Sequence, residues 1–285
     1  MSQAYTTQEL MVSACSRLIK DNERVFIGVG IPLLAGVVAS KIHAPNSVLI
    51  YEAGGVGAIT RRLPWSISDN ATTDNALVAT ELWRVLGDVQ RGYVDVAVIG
   101  GAQIDKYGNL NTTAIIGPGK SYQQPLTRLP GSGGANDLAS SAKRLLIIMR
   151  LEKRKFVEKL DYITSPGFLS GPGQREKAGL KGGGPEAVIT NKCIFRFDSQ
   201  TKEMYLAELF PGISVDEVKS EVGWDLKIAS QIKQVAPPTQ QEIEIMHKTD
   251  PLGVVLGSKS IQESQSFEDY YQTMKTSYES IVLLI

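Results

Sequence analysis

The chain has 285 residues, 42% of them hydrophobic, with 30 basic side chains balancing 30 acidic ones. This is the composition of a globular protein with a large core, and its zero net charge argues against any global field that would gather nucleic acid or an anionic membrane surface. Cys15 and Cys193 show no CxxC spacing and the two histidines, His43 and His247, are far apart, which argues against a disulfide framework, a metal centre and a histidine triad.

Acid, base and nucleophile roles therefore fall to carboxylates. The N-terminal MSQAYTTQEL lacks the basic start and apolar run of a secretory signal. No window approaches the ~20 apolar residues of a membrane span. A cytoplasmic protein is expected, with neither membrane nor nucleic acid as partner.

In chain order, Thr6 and Glu9 form a capping box that opens a helix carrying Leu10, Ala14 and Leu18. Val25 to Val29 reads as a strand ending in Gly28-Val29-Gly30-Ile31-Pro32, and Leu33 to Ile42 as a helix with Pro32 in its first turn. Ser47 to Tyr51 is the next strand and runs into Glu52-Ala53-Gly54-Gly55. Asp74 to Leu86 is expected to be helical, and Val94 to Ile99 a buried strand ending at Gly100-Gly101. Tyr107-Gly108-Asn109 is turn chemistry before a strand over Leu110 to Ile116, and Gly117 to Asp137 reads as a long loop rich in Gly and Pro.

Leu145 to Met149, Ala187 to Thr190, Cys193 to Phe197 and Met204 to Ala207 follow as strands, the last two joined as a hairpin through Asp198 to Lys202. Ser214 with Glu217, and Thr239 with Glu242, start two late helices. Gly182 to Gly184 reads as a surface turn, and Arg150 to Lys159 as a solvated charged face. The pattern is an α/β fold, an open, mostly parallel or mixed sheet with helices on both faces. We expect one domain over 1–252 and a tail or docking segment over 253–285, which closes with the apolar Ile281 to Ile285.

Ligands of such sheets bind outside the carboxyl ends of the strands, so Glu52, the Gly28 to Gly30 turn and Gly100-Gly101 are expected on one rim. Glu52 beside Ala53-Gly54-Gly55 is a carboxylate that a bulky ligand could approach; equally, it could open a loop into solvent. Gly131-Ser132-Gly133-Gly134-Ala135-Asn136 precedes a helix start at Asp137. Its glycines would expose backbone N–H groups as an anion nest, or serve a tight connection needing positive φ. Its spacing is not that of a dinucleotide fingerprint or a nucleotide phosphate loop. Arg61-Arg62 lies beyond the Glu52 loop, a basic pair that reads equally as an anion contact or as a solvated charge.

Several of these segments together resemble family I CoA transferases, most closely the catalytic subunit of glutaconate CoA-transferase. They are Gly28 to Leu33, Tyr51 to Gly54, Gly100 to Asp105 with Tyr107 to Asn111, Gly131 to Asn136 and Asp161 to Gly167. The resemblance implies a CoA transferase-like fold, Glu52 as the nucleophile and the Gly134 amide as an oxyanion donor. It further implies an acyl-CoA and CoA site drawing on Gly28, Gly30, Gly54, Gly101, Gln103, Gly131, Gly133, Ala135 and Asn136. No permanently bound cofactor or metal is implied. The resemblance implies coenzyme A as a substrate, moved between an acyl-CoA and a carboxylic, even dicarboxylic, acid, and a homologous alpha subunit that completes a heterodimer or heterotetramer. Two alternatives stay open: an acyl-CoA decarboxylase or hydrolase on the same scaffold, and a noncatalytic CoA-binding subunit.

Overall fold

The computed structural model of the chain describes residues 5–28, 30–59, 63, 64, 66, 67, 69–251, 253–257, 268, 271, 272 and 275. Val29, Arg61, Arg62 and Ile281 to Ile285 lie outside the described residues.

The described elements begin with α1 (Thr7–Ser16), β1 (Arg24–Ile27), α2 (Ile31–Ile42), β2 (Val48–Tyr51), β3 (Gly55–Val56), a 3-10 turn (Asn70–Thr73), β4 (Val78–Ala79) and α3 (Leu82–Gln90). Next come β5 (Val96–Ile99), β6 (Gln103–Ile104), β7 (Leu110–Asn111), β8 (Ala114–Ile115), β9 (Thr127–Arg128), α4 (Ala135–Ser141) and β10 (Arg144–Ile148). The chain continues through α5 (Gln174–Lys177), β11 (Pro185–Ile189), β12 (Cys193–Phe197), β13 (Met204–Leu209), α6 (Val215–Ser220), β14 (Lys227–Gln234) and α7 (Gln240–Thr249). They form two compact units, one from residues 1–23, 27–82 and 237–285, the other from 24–26 and 83–236.

In the first unit α1, α2 and α7 pack on one another. The capping box at Thr6 and Glu9 is formed, and the helix behind it buries all residues from Glu9 to Ser16. Glu9 is tolerated inside because one carboxylate oxygen accepts from the Thr6 amide at 2.5 Å and the other lies 2.6 Å from His247 Nε2 on α7. Arg17, just past α1, donates to both carboxylate oxygens of Glu242, at 3.0 and 2.7 Å. α2 buries Leu33 to Ala39, and Gly36 is required because a Cβ there would lie 2.1 Å from Ile27 Cδ1. Residues 254–256 are held at the end of α7, where the Asp250 carboxylate accepts from the amides of Val254, Val255 and Leu256.

The second unit is a sheet with strand order β14-β13-β12-β11-β10-β5-β1. β10 runs parallel to both β5 and β11, β11-β12-β13 is an antiparallel meander, and β14 lies parallel to β13. The central strands carry continuous apolar runs, VAVI in β5 and LLII after Arg144 in β10, as burial on both faces demands. At their N-terminal ends Asp95 accepts from the Arg24 amide and guanidinium and from Lys143 Nζ, all at 2.7–2.9 Å. These bonds hold the Asp95 carboxyl well below the usual carboxylate range, the Arg24 hydrogen bond being the largest cause.

Several sequence expectations are corrected. The helix expected over Asp74 to Leu86 starts only at Leu82. Before it Asp69 caps the 3-10 turn, Asn75 takes a left-handed φ of 48°, and Val78–Ala79 pairs with Gly55–Val56. The single strand expected over Leu110 to Ile116 is two. Asn111 Nδ2 donates to the Ala114 carbonyl and its Oδ1 accepts from the Thr113 amide, which turns the chain between β7 and β8. The long loop before Asp137 contains β9, paired with β8, and α4 begins at Ala135. Gly182 and Gly183 are more than a surface turn: a Cβ on them would lie 2.4 Å from the Ala142 carbonyl and 2.1 Å from that of Lys143.

Candidate functional site

Glu52 directly follows β2 and is half-buried. The turn that carries it closes with the Gly54 amide donating to the Tyr51 carbonyl at 3.0 Å. Gly54 has a φ of 123° and its carbonyl accepts from the Thr80 amide at 3.0 Å. A Cβ on Gly54 would lie 1.8 Å from the Thr80 carbonyl oxygen, and one on Gly55 1.8 Å from that of Thr72. These two glycines therefore make room for neighbouring backbone. The consequence for Glu52 is a fixed main chain, held by a strand on one side and by clamped glycines on the other.

Gly28 follows β1 in the same way and is half-buried. Gly30 is the N-cap of α2, with φ 95° and ψ −140°, and the space where its Cβ would stand is open. Its carbonyl accepts the Leu34 amide at 3.2 Å, so the glycine sets the entry to a twelve-residue helix at a strand end.

In the second unit Gly131 and Gly133 have left-handed φ values of 98° and 49°, which supports the tight-connection reading. The Gly131 amide donates to the Thr112 carbonyl at 2.9 Å, and the Ala135 amide to the Ser132 carbonyl at 3.0 Å. Gly134 is buried and caps α4, accepting the Leu138 amide, while Asn136 is exposed. Gly101 is small for packing, since its Cβ would lie 2.9 Å from Leu110 Cδ2.

Gln103, expected to contact a ligand, is buried and turned inward. Its Nε2 donates to Asp161 at 3.0 Å and its Oε1 accepts from Asn111 Nδ2 at 2.7 Å. The neighbouring Asn109 is likewise spent inside. Its Nδ2 donates to Asp105 and to the Leu169 carbonyl, and its Oδ1 accepts the Gly167 and Leu169 amides, all within 3.1 Å. Burial, the largest cause, raises the Asp105 carboxyl above its ordinary value against these bonds. The segments Gly100 to Asn111 and Asp161 to Leu169 are thus one polar framework. Through Asn111 and Thr112 it reaches Gly131, so the structure brings Gln103 and the glycine segment together as parts of a scaffold.

Sequence reading missed Arg175. Only 3% of this residue is exposed, and its guanidinium donates to the carbonyls of Ala139, Ser140, Pro166, Gly167 and Gly182. The usable signal was local: one arginine between Gly173 and Gly179, two glycines that both take left-handed φ. The charged run after Arg150 is a solvated face, Glu152 pairing with Arg154 and Lys155.

The sequence pattern of the coenzyme A transferase family matches residues 8–221. One of the subunits of 3-oxoadipate CoA-transferase from Pseudomonas knackmussii is 40% identical over 246 residues, 85% of this chain and 92% of the relative. The corresponding subunit of glutaconate CoA-transferase from Acidaminococcus fermentans is 37% identical over 253 residues, 87% and 93% of the two chains. The crystal structure of that organism's glutaconate CoA-transferase superposes with a TM-score of 0.82 at 35% identity, covering 90% of this chain and 98% of the other. Matched in sequence pattern over most of its length and in fold over nearly all of it, the chain belongs to the coenzyme A transferase family.

Proposed function

We propose that this chain is the nucleophile-bearing subunit of a two-subunit CoA transferase, and that Glu52 carries first the acyl group and then CoA. The observation that carries the reading is the placement of Glu52: a half-buried carboxylate at the end of a strand, on a backbone fixed by Gly54 and Thr80. In a chain with two histidines, such a carboxylate is also the nucleophile that the composition leaves available.

The Glu52 carboxylate attacks the thioester carbonyl of an acyl-CoA; the C–S bond breaks and leaves a mixed anhydride and CoA thiolate. The thiolate then attacks the glutamyl carbonyl, expelling the first acid as its carboxylate and leaving a glutamyl-CoA thioester. An incoming carboxylate attacks that thioester, and the released thiolate takes the new acyl group from the resulting anhydride, which regenerates Glu52. Each step exchanges one acyl bond for another, C–S for C–O or C–O for C–S, so that the sum exchanges one thioester for another and no proton or electron is left over.

The enzyme's task is to exclude water and to stabilise the oxyanion. In this reading the second task falls to the Gly131–Gly134 segment, with Gly134 as donor; one such donor contributes about 3 kcal/mol. The site would be completed by a homologous companion subunit, in a heterodimer or a dimer of it; the Pseudomonas and Acidaminococcus relatives are each named as one subunit of a transferase. Their named acids carry two carboxylates, which supports a dicarboxylic acid as acceptor.

The test is chemical trapping. The assembled enzyme is incubated with acyl-CoA, treated with borohydride or hydroxylamine, and digested for mass spectrometry. Reduction of Glu52 to the alcohol, or its conversion to the hydroxamate, is the expected result. An unmodified Glu52 in enzyme that is turning over would overturn the assignment.

A further inference from the structure

Arg175 is a buried guanidinium in the polar framework of the second unit, and the hydrogen bonds it donates end on main-chain carbonyls. Two of these, Ala139 and Ser140, belong to the last turn of α4, where carbonyls have no partner within the helix. Two more, Pro166 and Gly167, belong to the loop that Asn109 holds through the Gly167 amide. The last is Gly182, whose own amide donates back to the Ser140 carbonyl at 2.8 Å. Burying a guanidinium costs several kcal/mol unless its donors are satisfied, so five carbonyls gathered on one cation form a built structure.

A simpler apolar side chain would fill the same volume. What the cation adds is a fixed position for α4. From Ala139 to Gly134 is five residues, about 7.5 Å along a helix. The near end of that lever is the glycine segment, which is also tied at Gly131 to Thr112 and, along α4, at Asp137 to Gln90 Nε2 at 2.7 Å.

We infer that Arg175 is a positioning residue for the reaction: by clamping the C-terminal carbonyls of α4 to two loops, it sets where the Gly131–Gly134 segment meets the thioester. This rests on the proposed role of that segment. A displacement of about 1 Å there is enough to cost on the order of 100-fold in rate.

The experiment uses the enzyme assembled with its companion subunit, in the variants Arg175→Lys, Arg175→Gln and Gly182→Ala. The last approaches the same clamp from the other side, since its Cβ would lie 2.9 Å from the Ser140 carbonyl. Each is read by the single-turnover rate of thioester formation at Glu52, by KM for acyl-CoA and by thermal midpoint. The expected result is a rate about 10- to 100-fold lower with KM within about twofold, Lys retaining more than Gln.

A brace with no bearing on the chemistry would lower the midpoint and leave the rate of the assembled enzyme unchanged, and that result overturns the inference. Failure of all three variants to assemble overturns it too, by making Arg175 a determinant of folding. Absence of the Glu52 thioester in the unsubstituted enzyme would instead strike the proposed function, independently of the variants.

Discussion

The carbonyl oxygen of Thr80 stands 1.8 Å from the point where a Cβ on Gly54 would begin. The Gly54 backbone itself, at φ 123°, is in a region that side chains avoid. Gly54→Ala therefore combines overpacking with backbone strain and is expected to cost about 2 to 4 kcal/mol, measured as a lowered urea midpoint. Gly30→Ala meets open space and only the strain, so its loss is the smaller of the two.

Removing the carboxylate while keeping its shape separates chemistry from assembly. Glu52→Gln is expected to bind CoA and the companion subunit as before and to lose acyl exchange by at least about 1,000-fold. Calorimetric CoA binding and a coupled exchange assay measure the two quantities. Exchange that survives would reassign the nucleophile.

Asn109 uses both ends of its carboxamide inside the framework. Asn109→Leu leaves the Gly167 and Leu169 amides without their acceptor, and an orphaned buried group costs about 1 to 3 kcal/mol. A loss of about 2 to 4 kcal/mol is expected in chemical unfolding. Asn109→Asp should be worse, because it brings a second carboxylate against Asp105 where burial already disfavours charge.

Acid should loosen the second unit at Asp95. The folded-state carboxyl lies below its ordinary value of 3.8, the first cause being the Arg24 hydrogen bond. A depressed carboxyl contributes stability that is complete above that ordinary value and is lost as pH falls toward the folded-state one. Asp95→Asn should cost about 2 kcal/mol at neutral pH, as charged hydrogen bonds do. The gap to the parent should narrow below about pH 4, which unfolding curves across pH would show.

Elements with strong local signals were legible in the sequence. The three capping boxes at Thr6, Ser214 and Thr239 are all formed, and the continuous apolar runs of β5 and β10 lie where their composition put them. β14 was not legible. Its KIASQIKQ pattern is polar and largely exposed, spaces its isoleucines by four, and is a strand only because β13 offers an edge. The helix expected from Asp74 failed where tertiary pairing with β3 overrode local propensity.

At the candidate site the strand end made Glu52 a candidate carboxylate, and the family resemblance supplied the role proposed for it. What Gly54, Gln103 and Arg175 do could not be read, because each answers to a distant stretch of chain that local pattern does not reveal: Thr80, Asp161 and the α4 carbonyls.

Arg17 and Glu242 are partners separated by 225 residues. A ribosome must therefore deliver everything from Arg17 to Glu242 before the first unit can close, while residues 83–236 emerge in one uninterrupted stretch. Until α7 arrives, α1 and α2 present apolar faces to solvent and Glu9 lacks its histidine. Birth order thus sets a vulnerable interval, in which chaperones or proteases meet the unfinished first unit while the second is already able to condense.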